Sequence, residues 1–127
     1  MKHYHLTVDR DLFFTRAALK HQGRFRVVTL LIDCGSSHTM LTWETLVSLK
    51  ADPALSKVRR PIATLNGVVY MPEVNLDEFH ALGQRIGALP VLAHSMLPGV
   101  QIDGVIGMNF LRRFDTDLNF KQATIRI

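Results

Sequence analysis

A carboxylate closes one of the most apolar stretches of this chain. Leu30-Leu31-Ile32 runs into Asp33, and Cys34-Gly35-Ser36-Ser37 follows. A charged group at the end of a buried strand is costly unless it has a partner. Gly35 permits a tight reversal and leaves room for something to approach Asp33. A carboxylate placed this way can accept or donate a proton as a general base or acid. Taken alone, Asp-x-Gly is far more often the pattern of an Asx-turn, in which the side chain bonds its own backbone. Cys34 is not read as a nucleophile, because a reactive thiol needs a base beside it. The nearest candidate, His38, is expected to point along a strand. Of the six histidines, His3 and His5 would share a strand face, but two ligands without a third make a poor metal site. No metal and no cofactor is expected.

The elements around Asp33 read mostly as strands. His3 to Val8 alternates weakly and reads as a terminal strand. Leu12 to Leu19 and Phe25 to Ile32 form a hairpin around His21-Gln22-Gly23. The stretch Val27 to Asp33 reads as a strand buried on both faces. His38 to Leu41 is a further short strand. Thr42 has the character of a helix N-cap, with Glu44 in the first turn, and Pro53 stops any continuation. Trp43 is expected to pack this helix on the core. Pro61 to Leu65, Asn66-Gly67 and Val68 to Val74 carry a strong hairpin signal, with Asn66-Gly67 suited to a type I′ turn. Leu76 to Leu82 and Ile86 to Ala93 read as two strands, and Gln101 to Gly104 as a turn. Val105-Ile106-Gly107 is a short buried strand entering a helix, Met108 to Phe114. Met108, Phe110, Leu111 and Phe114 face the core, with Arg112 and Arg113 outward. Asp117 to Phe120 and Ala123 to Ile127 form a terminal hairpin.

Composition narrows the function classes. The chain has 127 residues, 47% hydrophobic and 20% charged. That is enough for one domain spanning 1–127, with 1–11 as a terminal strand or extension, and too little for two independent lobes. The single Cys excludes an internal disulfide and a multi-thiolate zinc site. No apolar run approaches the ~18 residues of a membrane span. The start lacks the apolar core of a secretory signal, which points to a cytoplasmic protein. A net charge of +4 invites a nucleic-acid reading, but the basic residues are scattered and no aromatics interleave with them. A solvated basic surface is expected, with no nucleic acid bound.

The combination of Asp33, Gly35 and Ser36 with Val105-Ile106-Gly107-Met108-Asn109-Phe110-Leu111 resembles the retropepsin-like aspartic proteases, the single-domain relatives of the retroviral proteases. The order of elements from about residue 12 to 127 is similar. The resemblance implies an all-β, closed or rolled sheet with one or two short helices, one lobe per chain. It also implies a catalytic Asp33 supported by Cys34, Gly35 and Ser36, and a strand Val105, Ile106, Gly107 behind that loop. Ile62 to Tyr70 sits where the family has its flap, so Asn66, Gly67 and Tyr70 are the candidate substrate-binding residues. Cys34 departs from the family, which has Thr or Ser there. The resemblance implies that this hydroxyl bonds across to a partner subunit, and a thiol is a weaker donor. One suitable Asp per chain implies a homodimer that hydrolyses peptide bonds in an extended or unfolded substrate. A catalytically silent dimerisation or peptide-binding module is the competing reading.

Overall fold

A computed structural model describes residues 1–95 and 101–127. Thirteen strands are present among the described residues, with two short helices and a 3-10 turn at Pro53–Leu55. The strands are β1 (His3–His5), β2 (Thr7–Asp9), β3 (Leu12–His21), β4 (Arg24–Ile32), β5 (Thr39–Thr42), β6 (Arg59–Thr64) and β7 (Gly67–Asn75). They continue with β8 (Glu78–Ala81), β9 (Gln84–Gly87), β10 (Pro90–His94), β11 (Gly104–Ile106), β12 (Asp117–Asn119) and β13 (Thr124–Arg126). The helices are α1 (Trp43–Ser48) and α2 (Met108–Leu111).

The main sheet runs β6-β7-β10-β5-β11-β4-β3-β8-β9, with β2 added on β3. A second, three-stranded sheet has the order β1-β13-β12. The backbones of Lys2 and Ile127 exchange two 3.0 Å hydrogen bonds, so the two ends of the chain lie side by side. The all-β reading holds, and the terminal segment resolves into two strands that join different sheets.

The core lies against the inner face of the main sheet. Leu19, Leu30, Leu41, Leu46, Phe79 and Ile106 are fully buried there, each worth about 1.5–3 kcal/mol of apolar burial. Phe110 ties α2 into this core, its ring centroid 5.4 Å from those of Phe79 and Phe114. Thr42 caps α1 by accepting from the Thr45 amide, as the sequence indicates. α1 ends before Pro53, because Lys50 adopts φ +59°.

Several local expectations are corrected. β4 is buried on one face only. Val28 and Leu30 point inward while Phe25 and Val27 are exposed, because nothing among the described residues covers the outer side at that end. The span Ile86 to Ala93 is two strands, broken where Ala88 takes φ +53°. Trp43 is exposed rather than packed in the core; Thr45 and Leu46 supply the buried face of α1. Type I′ geometry needs positive φ at both central residues. It occurs at Arg10-Asp11, Gln22-Gly23 and Leu82-Gly83, but not at Asn66-Gly67. In the β6–β7 hairpin Thr64 pairs with Gly67, so the tip is Leu65-Asn66. Asn66 is not in the positive-φ region, whereas Gly67 takes φ +115°. The Thr64 hydroxyl steers this turn, donating to the Gly67 carbonyl at 2.7 Å and accepting from the Asn66 amide at 3.2 Å.

Candidate active site

The loop carrying Asp33 leaves β4 and returns as β5. β11 lies between these two strands, parallel to β4 (Ile106 beside Ile32) and antiparallel to β5 (Val105 beside Met40). A strand inserted between the two arms of a loop leaves the loop little freedom, because every arm is paired. The Asp33 amide donates to the Ile106 carbonyl at 3.0 Å, and the Ser36 amide to the Asp33 carbonyl at 3.2 Å. The first amides of α2 then take two loop carbonyls: Met108 N reaches Ser36 O at 2.7 Å and Asn109 N reaches Ser37 O at 3.2 Å.

Gly107 makes this approach sterically feasible. A Cβ there would sit 2.2 Å from the His38 carbonyl oxygen. Behind the loop, fully buried Thr39 forms the central tie. Its amide and its hydroxyl both donate to Asn109 Oδ1, at 2.8 and 2.7 Å. Its Oγ1 accepts from Gly107 N at 3.2 Å, and Asn109 Nδ2 donates to the Pro90 carbonyl at 2.9 Å. One buried hydroxyl and one amide thus bind β5, β10, β11 and α2 together, and buried polar groups satisfied this fully hold a single arrangement.

Asp33 itself is half-buried. Its Oδ1 accepts from the Gly35 amide at 3.0 Å. Among the described residues no hydrogen bond or ion pair engages Oδ2. The Asx-turn reading is therefore correct for one oxygen, while the other stays open. A groove of about 800 Å³ borders Asp33, lined among others by Leu12, Phe13, Ile32, Phe120 and Lys121. On the other flank of Ile32, a groove of about 350 Å³ is lined by Cys34, Met108, Leu111, Phe114 and Phe120. Phe120 stacks on Phe13 with ring centroids 5.9 Å apart, and it is 66% exposed.

The structure brings Asp33, Cys34, Gly35 and Ser36 together with Val105, Ile106 and Gly107. Ser36 serves the loop itself, its hydroxyl donating to the His38 carbonyl at 2.7 Å. Cys34 is exposed and free, and its Sγ has no hydrogen bond among the described residues. His38 bonds through Nδ1 to the Ser37 hydroxyl at 2.8 Å, not to Cys34. Asn66, Gly67 and the exposed Tyr70 lie on the hairpin beyond Glu73, where pairing to β10 ends; no hydrogen bond joins them to the Asp33 loop. His3 and His5 are exposed, and no cluster of three metal-ligating side chains occurs among the described residues. Thr39 and Phe120 have no distinctive spacing that would mark them in the sequence, and Asn109 reads there only as part of a helix.

A β4–loop–β5 unit closed by an inserted β11 and a short helix is the architecture of a retropepsin-like aspartic protease lobe. Such a protease from Rickettsia conorii has a solved structure that matches 98% of this chain and 88% of that one, with a TM-score of 0.73 and 21% identity. The sequence model of the aspartyl protease family matches residues 17–110, and the chain belongs to that family. The comparison with curated proteins found no match. No helix among the described residues is long and apolar enough to cross a membrane.

Proposed function

We propose that the chain is an aspartic endopeptidase, that residues 1–127 form one such domain, and that Asp33 works as a pair with its copy across a homodimer axis. The observation carrying this reading is the state of the Asp33 carboxylate. One oxygen is held by the Gly35 amide, and the other is open among the described residues, beside a groove of mixed lining that includes Phe13, Phe120, Asp11 and Lys121, on a loop pinned between two strands.

Hydrolysis of a peptide bond by water needs one group to take the water proton and another to protonate the carbonyl oxygen. Two carboxyls about 3 Å apart cannot both ionise, so they share one proton and supply both functions; this is a general property of aspartic proteases. No other acid of this chain ends a buried strand in this way, so the second carboxylate must come from a second protomer. The extended substrate would lie over the paired loops and bond its backbone to the β6–β7 hairpin by strand addition. Leu65-Asn66 forms the tip, Gly67 supports the turn, and Tyr70 faces the covered strand. Closure of that hairpin excludes water from the cleft.

A second reading, a silent dimerisation or peptide-binding module, is favoured by one observation. Cys34 presents a weakly donating thiol that bonds nothing among the described residues of its own protomer. Cleavage of an unfolded protein at mildly acidic pH, wild type beside Asp33→Asn, separates the two. The endopeptidase reading expects activity lost in the variant with the fold intact; equal cleavage by both ends it. Sedimentation tests the pairing, since a monomer at concentrations where the wild type cleaves refutes a shared carboxylate.

A further inference from the structure

The outer face of the sheet at β4, β3, β8 and β9 takes no part in the core or in the Asp33 site. Strand register sets its side chains in rows: Val27, Ala18, His80 and Arg85 across the four strands, with Phe25, Lys20, Glu78 and Gly87 beside them. Arg16 stands next to Ala18 on the same side, since residues two apart along a strand share a face. Ala18 is the smallest side chain within the first row. It leaves a trough of about 530 Å³ walled by Arg16, Val27, His80 and Arg85. Phe25 is 60% exposed and Val27 42%. β9 is the last strand of the sheet, so the trough opens sideways at Arg85.

We propose that this trough binds an acidic, extended segment of a partner protein, carrying apolar side chains that fill the space over Ala18. The charges favour such an occupant. The face carries Arg16, Lys20 and Arg85 against one acid, Glu78, an excess of two positive charges before His80 is counted. It already holds a carboxylate of its own: Glu78 lies 3.7 Å from Lys20 and 3.4 Å from His80, and it accepts from Arg85. The Glu78 carboxyl is held below its ordinary range, chiefly by the bond with His80 and then by Arg85 and Lys20. Arg16 has no ion pair among the described residues. Asp77, which faces His21 at 3.5 Å and accepts from the Gln22 amide, lies at the border and does not line the trough.

A second copy of the chain fits poorly here, because a two-fold contact would set like charges against each other. A nucleic acid fits less well than a peptide, because Phe25 is the one exposed aromatic of the patch and successive bases need successive stacking platforms. Phe25 stands a strand length from Asp33, about 26 Å at ~3.3 Å per residue. An acidic stretch of a substrate could therefore be gripped here while another part reaches Asp33. That last use rests on the proposed proteolysis; the binding does not.

The test is fluorescence anisotropy of a labelled peptide of alternating Glu and Leu, titrated with the 127-residue Asp33→Asn protein, so that cleavage plays no part. Binding is expected to weaken about tenfold or more in Arg16→Glu and in Ala18→Glu, and about severalfold as salt rises from ~50 to ~300 mM. The milder Arg16→Gln should lie between, and melting curves verify that each variant folds. Amide shifts in nuclear magnetic resonance are expected at Ala18, Val27 and Arg85. Shifts confined to the Asp33 loop, no binding at millimolar peptide, or tighter binding of single-stranded DNA at the same residues would each overturn the proposal.

Discussion

Replacing Thr39 by Val removes one oxygen and nearly preserves volume, which isolates the tie behind the Asp33 loop. The hydroxyl is fully buried, donates to Asn109 Oδ1 at 2.7 Å and accepts from Gly107 N at 3.2 Å. Asn109 Oδ1 retains the Thr39 amide as a donor, but the Gly107 amide loses its acceptor in a buried place. An unsatisfied buried donor costs about 1–3 kcal/mol, and the added methyl recovers less than ~1 kcal/mol. The net loss is about 1–2 kcal/mol, or roughly 4–8 °C in melting temperature for a chain of this length. Urea denaturation followed by circular dichroism measures the free energy, and an unchanged slope would show that the unfolded state is not involved. Gly107 begins the segment that holds the Ser36 and Ser37 carbonyls, so cleavage by Thr39→Val should fall further than stability alone explains. Thr39→Ser keeps the hydroxyl and should retain activity at a cost of about 1 kcal/mol for the lost methyl. A Val variant within about 0.5 kcal/mol of wild type, or a Ser variant as damaged as Val, would refute this account.

The remaining predictions concern the loop and the basic face. Gly107→Ala should be among the most destabilising changes, about 3 kcal/mol or more, because its Cβ would fall 2.2 Å from the His38 carbonyl oxygen and the loop cannot retreat without breaking its bonds to α2; a melting temperature within a few degrees of wild type would count against the clamp. Cys34→Thr should raise the rate of peptide cleavage by restoring a stronger donor, and unchanged rate and dimer stability would remove any role for that position. Glu78 has a lowered carboxyl pKa, so its stabilising effect is complete above the ordinary carboxylate range and fades as pH falls through the lowered value. Wild type and Glu78→Gln should therefore differ in melting temperature near neutrality and converge in strong acid, and a gap that widens on acidification would reverse the argument.

Much of the architecture was readable because the relevant signals are local. The apolar run into Asp33, the turn residues after it and the N-cap at Thr42 each depend on a few neighbouring residues, and each is found where expected. What escaped depends on contacts across the chain. Val27 looks like a core residue in sequence, yet no element among the described residues covers its side of β4. Asn66-Gly67 has the composition of a type I′ turn, but Thr64 captures the turn one residue earlier. Ala88 carries no mark of the positive φ that splits two strands. The same limit applies at the candidate site. Asp33, Gly35 and Gly107 stand out by type and setting. Thr39 and Asn109 are ordinary polar residues until β5 and α2 bring them within 2.7 Å, and Phe120 is unremarkable until it stacks on Phe13.

The antiparallel pairing of Lys2 with Ile127 has a consequence for how the fold can be connected. Start and finish emerge at one spot, so a short bridge between them would close the backbone into a ring, and new ends could be opened at an exposed loop tip. Polypeptide attached to both extremities would arrive and depart together, and the lobe would hang from it like a bead on a drawn-up thread.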